Sequence, residues 1–120
     1  MKSFSKESDC VEFKYSLAES KGIVKTVAAF SNTHGGNIYV GIQDDGTVLG
    51  VEIGRNSVEK LANSIKQNTD PCIYPRINVT KESGKTIMVI TVSENASKPV
   101  FAFGRAYKRV GKTNQLLGQN

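Results

Sequence analysis

The stretch Ala28-Ala29-Phe30-Ser31-Asn32-Thr33-His34-Gly35-Gly36-Asn37-Ile38-Tyr39-Val40-Gly41-Ile42-Gln43-Asp44-Asp45-Gly46 changes its hydrophobic period half-way. Leading into it, Ile23, Val24, Val27, Ala28 and Phe30 keep the three-to-four-residue spacing of one helix face. That spacing predicts a helix from Lys21 to Asn32, with Ser20 as a candidate cap. Beyond the glycines, Ile38, Val40 and Ile42 alternate with Tyr39, Gly41 and Gln43, the period of a half-buried strand. The two patterns are separated by Asn32-Thr33-His34-Gly35-Gly36, so one glycine is expected at positive φ where the helix stops. The other fits a close approach by backbone or ligand. Asp44-Asp45-Gly46-Thr47 then predicts a tight turn and a returning strand from Val48 to Ile53.

Working outward, Val11-Glu12-Phe13-Lys14-Tyr15 alternates apolar and charged residues and reads as a first strand. Asn56-Ser57-Val58-Glu59 has the form of a capping box, and Val58, Leu61, Ala62 and Ile65 form one apolar stripe, giving a second helix that ends near Asn68. After Pro71 and Pro75, Ile77 and Val79 alternate, Glu82-Ser83-Gly84-Lys85 turns the chain, and Thr86 to Val92 is a strand. Val100 to Phe103 and Ala106 to Val110 close the pattern. The order β-α-β-β-α-β-β-β-β implies an α+β fold, a mixed and largely antiparallel sheet with two helices packed on one face. Residues 1–112 are expected to form this domain, and 113–120 an irregular polar tail that could begin a linker to a further C-terminal region.

At 120 residues, 38% hydrophobic and 22% charged, the chain has the composition of one globular domain and not of a disordered or fibrous protein. No apolar run is long enough to span a bilayer, and the polar start Met1 to Glu7 lacks the core of a signal peptide, so a cytoplasmic location is expected. Cys10 and Cys72 are read as free, half-buried thiols. With His34 as the single histidine, they fall short of a zinc ligand set. Gly111-Lys112-Thr113 is not a nucleotide-binding loop, because position 106, where the first glycine is required, is Ala.

Charge is divided unevenly. Residues 1–60 carry seven Lys/Arg against eight acids, whereas residues 61–120 carry nine against three, for a total of +5. Lys98, Arg105, Lys108, Arg109 and Lys112 follow one another without an intervening acid and are interleaved with Phe101, Phe103 and Tyr107. Such a segment suits a polyanion, since cations that neutralise phosphates release counterions. A solvated basic face has the same composition. The acids raise a second possibility, because Glu7, Asp9 and Glu12 surround the first strand and Asp44 and Asp45 end the next. Carboxylates converging from separate elements suit Mg²⁺ or Mn²⁺, which take oxygen ligands, although Asp45 is equally explained by the turn.

Glu7-Ser8-Asp9-Cys10-Val11-Glu12-Phe13-Lys14, the block from Ala28 to Gly46 with Gly50-Val51, Lys98-Pro99-Val100 and Tyr107-Lys108-Arg109-Val110-Gly111 together resemble the Schlafen-type AlbA_2 domain. The resemblance runs in order along nearly the whole chain. It implies a nucleic-acid-binding domain of prokaryotic and archaeal regulators, often joined to a further C-terminal region, and related to the nuclease core of eukaryotic Schlafen proteins. From those nucleases it also implies a site for a divalent metal built from Glu7, Glu12 and Asp44 or Asp45. Gln43 stands where the family often has an acid, which leaves the choice of aspartate open.

The combined reading is a nucleic-acid-binding module of the transcriptional-regulator type, acting on DNA or RNA as a homodimer. Lys14, Lys98, Arg105, Lys108, Arg109 and Lys112 would contact phosphates, and Tyr107 would stack on a base or face the core. The alternatives are a Mg²⁺- or Mn²⁺-dependent endoribonuclease using Glu7, Glu12 and Asp44, and a protein-interaction domain. No cofactor is implied outside the nuclease reading.

Overall fold

Strand β1, Val11–Lys14, lies parallel to β2, Gly36–Val40, with Val11 opposite Asn37 and Lys14 opposite Val40. The computed structural model describes residues 6–118, so the polar start at 1–5 and the last two residues of the expected tail lie outside it. Antiparallel pairing of β2 with β5 (Lys85–Val92) and of β5 with β4 (Arg76–Glu82) completes a four-stranded sheet in the order β1-β2-β5-β4. Strands β3 (Thr69–Asp70), β6 (Phe101–Ala102), β7 (Arg105–Val110) and β8 (Thr113–Leu116) form a second, antiparallel sheet. With helices α1 (Ser20–Ser31) and α2 (Ser57–Asn68), the fold is α+β with mixed and antiparallel pairing.

The strands are divided between two sheets because α1 is apolar on more than one side. Every residue from Thr26 to Ser31 is buried, and a helix covered all round must lie between layers. α1 touches β2 and β5 of the first sheet and β6, β7 and β8 of the second, while α2 packs against its flank. Ile23, Val24, Val27 and Phe30 meet Ile38, Val40, Met88 and Ile90 in the main core. Phe30 has no exposed surface, and truncating such a ring to alanine costs about 3–5 kcal/mol. The buried hydroxyls of Thr26 and Ser31 are satisfied by donating to the carbonyls of Gly22 and Val27, four residues back. Phe13, Ile42 and Ile87 form a smaller cluster on the other face of the first sheet.

Both glycines after α1 have a physical reason. Gly35 has φ of 76° and donates its N–H to the Phe30 carbonyl, closing the helix in the left-handed conformation expected there. Gly36 enters β2 where the chain leading into β1 presses against it, and a Cβ at this position would lie 2.6 Å from the Cys10 carbonyl oxygen.

Several local expectations change. Residues 48–53 make no strand of their own beyond a single bridge between Ile42 and Val48. Gly41 and Gly50, both at positive φ, let the chain cross itself there, and the Val51 N–H reaches the Thr86 carbonyl instead of continuing the hairpin. The capping box is not formed. Asn56 makes no side-chain cap, and Ser57 Oγ accepts from the Gly54 N–H. Ser20 is the first residue of α1 and not its cap, while Ser16 caps the short 3-10 turn Leu17–Glu19 before it. The segment expected to be an irregular tail supplies β8, whose polar residues hide the strand period but pair with β7 from Tyr107↔Leu116 to Val110↔Thr113. Cys10 and Cys72 are free but exposed, not half-buried.

Candidate nucleic-acid interface

Alternation along β7 decides which basic residues reach solvent. Tyr107 and Arg109 point toward α1, and Lys108 and Val110 point away. Arg109, expected to contact phosphate, is only 4% exposed. Its Nε donates to the Ser8 carbonyl at 3.2 Å, Nη2 donates to Ser8 and Val11 carbonyls at 3.1 Å each, and Nη1 donates to Asn114 Oδ1 at 2.8 Å. Nη2 also lies 2.7 Å from Glu12 Oε1, and the guanidinium sits 5.0 Å from the Phe30 ring centroid. Arg109 is therefore removed from the phosphate-contacting set. It is a buried cross-link among β1, α1 and β8, a role suited to the planar fork of guanidinium.

Two further cations are already engaged. Lys14 Nζ lies 3.2 Å from Glu12 Oε2 and 3.7 Å from Glu19 Oε1, and the Lys98 ammonium pairs with Glu94, whose pKa it lowers. By contrast, Arg105, Lys108 and Lys112 are exposed and form no ion pair among the described residues. They are spaced along one hairpin. Arg105 starts β7, Lys108 lies on its outer face opposite Gln115, and Lys112 is in the turn to β8. Tyr107 packs partly into the core, and the Lys25 ammonium lies 5.7 Å from its ring centroid. Lys21 lies at the same distance from Phe103. These two lysines, four residues apart on α1, belong to the same basic face. The sequence signal for them is the i, i+4 pair on the exposed side of the α1 pattern.

The second sheet is fixed to the end of α1 by two residues of the helix-to-strand block. The Asn32 carboxamide donates to the carbonyls of Val100 and Tyr107 and accepts from the Val100 N–H. Thr33 Oγ1 donates to the Ala29 carbonyl and accepts from the Arg109 N–H. Position along α1 thus sets position along β7.

The acids converge only in part. Glu7 Oε2 accepts from the Phe13 N–H at 2.9 Å. Burial pushes the Glu7 pKa up, and the charges of Glu12 and Asp44 add to this, against the lowering influence of the Phe13 N–H and Arg109. Asp44 is thus the aspartate that Glu7 senses. Asp45 accepts from the Thr47 N–H at 2.9 Å, which holds its pKa down and explains it as a turn residue. One Glu12 oxygen faces Arg109 and the other Lys14, so internal cations already neutralise it. Among the described residues no three His, Cys, Asp or Glu side chains come together as ligands for one ion. As arranged, Glu7, Glu12, Asp44 and Asp45 do not fit the Mg²⁺ or Mn²⁺ that the resemblance implies.

The Schlafen, AlbA_2 family model matches residues 7–118. The chain belongs to the Schlafen AlbA_2 family. This AlbA_2 domain is also similar to two solved structures. One is the DIP2311 protein of Corynebacterium diphtheriae, with a TM-score of 0.76 and 23% identity, where the match covers 91% of this chain but only 22% of that one. The other is the N-terminal domain of a putative ATP-dependent DNA helicase RecG-related protein from Nitrosomonas europaea, with a TM-score of 0.65 and 26% identity over 95% of this chain and 86% of that one. The AlbA_2 match extends through β8, as does the paired hairpin that carries Lys108 and Lys112. No helix among the described residues is long and apolar enough to cross a membrane.

Proposed function

We propose that this AlbA_2 domain is a nucleic-acid-binding module of the regulator type, working as a pair of copies, with its backbone contacts made by the β7–β8 hairpin. The reading is carried by one observation: Arg105, Lys108 and Lys112 stand exposed along that hairpin with no ion-pair partner among the described residues, whereas Lys14, Lys98 and Arg109 are engaged internally. Cations without internal partners are the ones that release counterions when they meet phosphate. Lys21 and Lys25 extend the same face. Family membership and the likeness to a domain of a DNA helicase-related protein support the same reading. Exposed free thiols suit a reducing compartment such as the cytoplasm.

The test is the salt dependence of binding to a labelled duplex. Changing Arg105, Lys108 and Lys112 to alanine should weaken binding and lower the magnitude of the log–log salt slope by up to about three, near one for each phosphate no longer neutralised. A folded triple variant with wild-type affinity and slope would sink the proposal and leave a protein-interaction role as the better reading.

A further inference from the structure

The β6–β7 hairpin turns at Phe103 and Gly104, with φ of 52° and 77°. Two successive left-handed residues between Ala102 and Arg105 make the tight turn normally built from Asn, Asp or Gly. Phenylalanine is disfavoured there because its Cβ crowds the following carbonyl. Burial does not explain the choice, since Phe103 is 38% exposed. An aromatic side chain is held outward at the tip of a hairpin, in a conformation that a smaller residue would adopt more readily.

What surrounds the ring is chemically specific. The Lys21 ammonium lies 5.7 Å from the Phe103 centroid, Lys25 follows one helical turn later beside Tyr107, and Arg105 leaves the turn exposed. Next to the ring is a cleft of about 440 Å³ bounded by Phe101, Phe103, Gln67 and Asp70. Its volume is in the range of small-ligand sites. It combines two aromatic side chains, an amide and a carboxylate, with three cations outside it. Stacking surface and edge-directed polar groups within reach of phosphate-binding cations are the requirements of an unpaired nucleotide.

We propose that this hairpin tip is a base-stacking site and that its ligand is single-stranded nucleic acid. A base enters the cleft against Phe103 and Phe101, Gln67 and Asp70 face its polar edge, and Lys21, Lys25 and Arg105 hold the adjoining phosphates. A base inside a duplex is stacked on its neighbours and cannot enter, so the site selects unpaired strands. The proposal rests on the nucleic-acid-binding reading and deepens it.

Fluorescence anisotropy of the full chain with a labelled single-stranded oligonucleotide of about 12 nucleotides, and with the duplex of the same sequence, tests it. The wild type should bind the single strand more tightly than the duplex. Phe103→Asn, which removes the ring but suits the left-handed turn, should keep or raise the melting temperature and weaken single-strand binding about tenfold. Lys21→Gln with Lys25→Gln should weaken it further and reduce the salt slope. Equal or tighter duplex binding, or an unchanged single-strand affinity in folded Phe103→Asn, overturns the base-stacking site while leaving nucleic-acid binding intact. Binding to neither probe overturns both.

Discussion

Replacing Arg109 with methionine tests the largest departure from the sequence pattern, because a buried cross-link and a phosphate ligand predict opposite results. Arg109→Met keeps much of the apolar bulk over Phe30 but removes every donor directed at Ser8, Val11, Asn114 and Glu12. The Glu12 side chain, 10% exposed, is left with Lys14 as its partner, the Asn114 amide oxygen loses its Arg109 donor, and the Ser8 and Val11 carbonyls keep only the backbone hydrogen bonds they exchange with each other. Breaking a buried ion pair by removing one member costs about 3–5 kcal/mol. Against a total of about 5–15 kcal/mol for a domain, that is a large share. At about 4 °C per kcal/mol for a domain of this size, melting should fall by roughly 12–20 °C.

Urea denaturation followed by far-ultraviolet circular dichroism measures the loss directly. Arg109→Lys should fail to restore stability, because an ammonium cannot reproduce the fork that reaches three elements. The double variant Glu12→Gln with Arg109→Met should lose less than the sum of the single changes, since neither then strands a charge. A stable Arg109→Met protein with a wild-type urea midpoint and weakened nucleic-acid binding would refute the reasoning and return Arg109 to the surface.

Other outcomes follow from single positions. Gly36→Ala drives a Cβ to 2.6 Å from the Cys10 carbonyl oxygen and should lower stability by about 1–3 kcal/mol; a urea midpoint equal to wild type would contradict the close approach of the two chain segments. Asn32→Ala removes three hydrogen bonds to Val100 and Tyr107 and should cost about 2–4 kcal/mol, with backbone hydrogen exchange rising first in β6 and β7 and not in β5. Glu7 has a folded pKa above its ordinary 4.5, so the folded state holds this proton more tightly, and that stabilisation is complete at pH below 4.5 and lost as pH rises through the folded value. Glu7→Gln, whose amide oxygen still accepts from Phe13, should remove this fall and be the more stable protein above that window; parallel pH profiles for the two proteins would rule out the buried acid.

The elements that were legible in the sequence are those whose period arises within a short window. α1 and α2 lie within a residue or two of the stretches marked by their apolar spacing, and β1, β4, β5 and β7 follow from alternation, because one buried face imposes a local repeat. The positive φ at Gly35 was likewise readable, since only glycine closes a helix that way without strain. β8 was not, because Thr113, Asn114 and Gln115 carry no apolar period and the strand exists through its pairing with β7. The capping box failed for a related reason. Asn56 and Glu59 have the right spacing, but the preceding chain gives Ser57 the Gly54 N–H to accept from.

By itself, then, the sequence determined that this is an α+β domain, where its helices lie, which segments carry basic charge and which family it resembles. Tertiary structure alone decided that α1 lies between two sheets, and with it the fate of each charged residue. Arg105, Lys108, Arg109 and Lys112 are one basic run in the sequence, yet the first, second and fourth face water while the third is buried against Phe30 and Glu12. A strand period states that Arg109 and Lys108 face opposite ways, but not which face is covered. What covers it is a helix from far earlier in the chain, anchored by Asn32 and Thr33, and no local pattern in β7 records that packing. The acids obey the same physics. Glu12 and Asp44 differ little as sequence motifs, and the Arg109 guanidinium that long-range packing places beside Glu12, on top of the local Lys14, is what separates a neutralised, structural carboxylate from an exposed one.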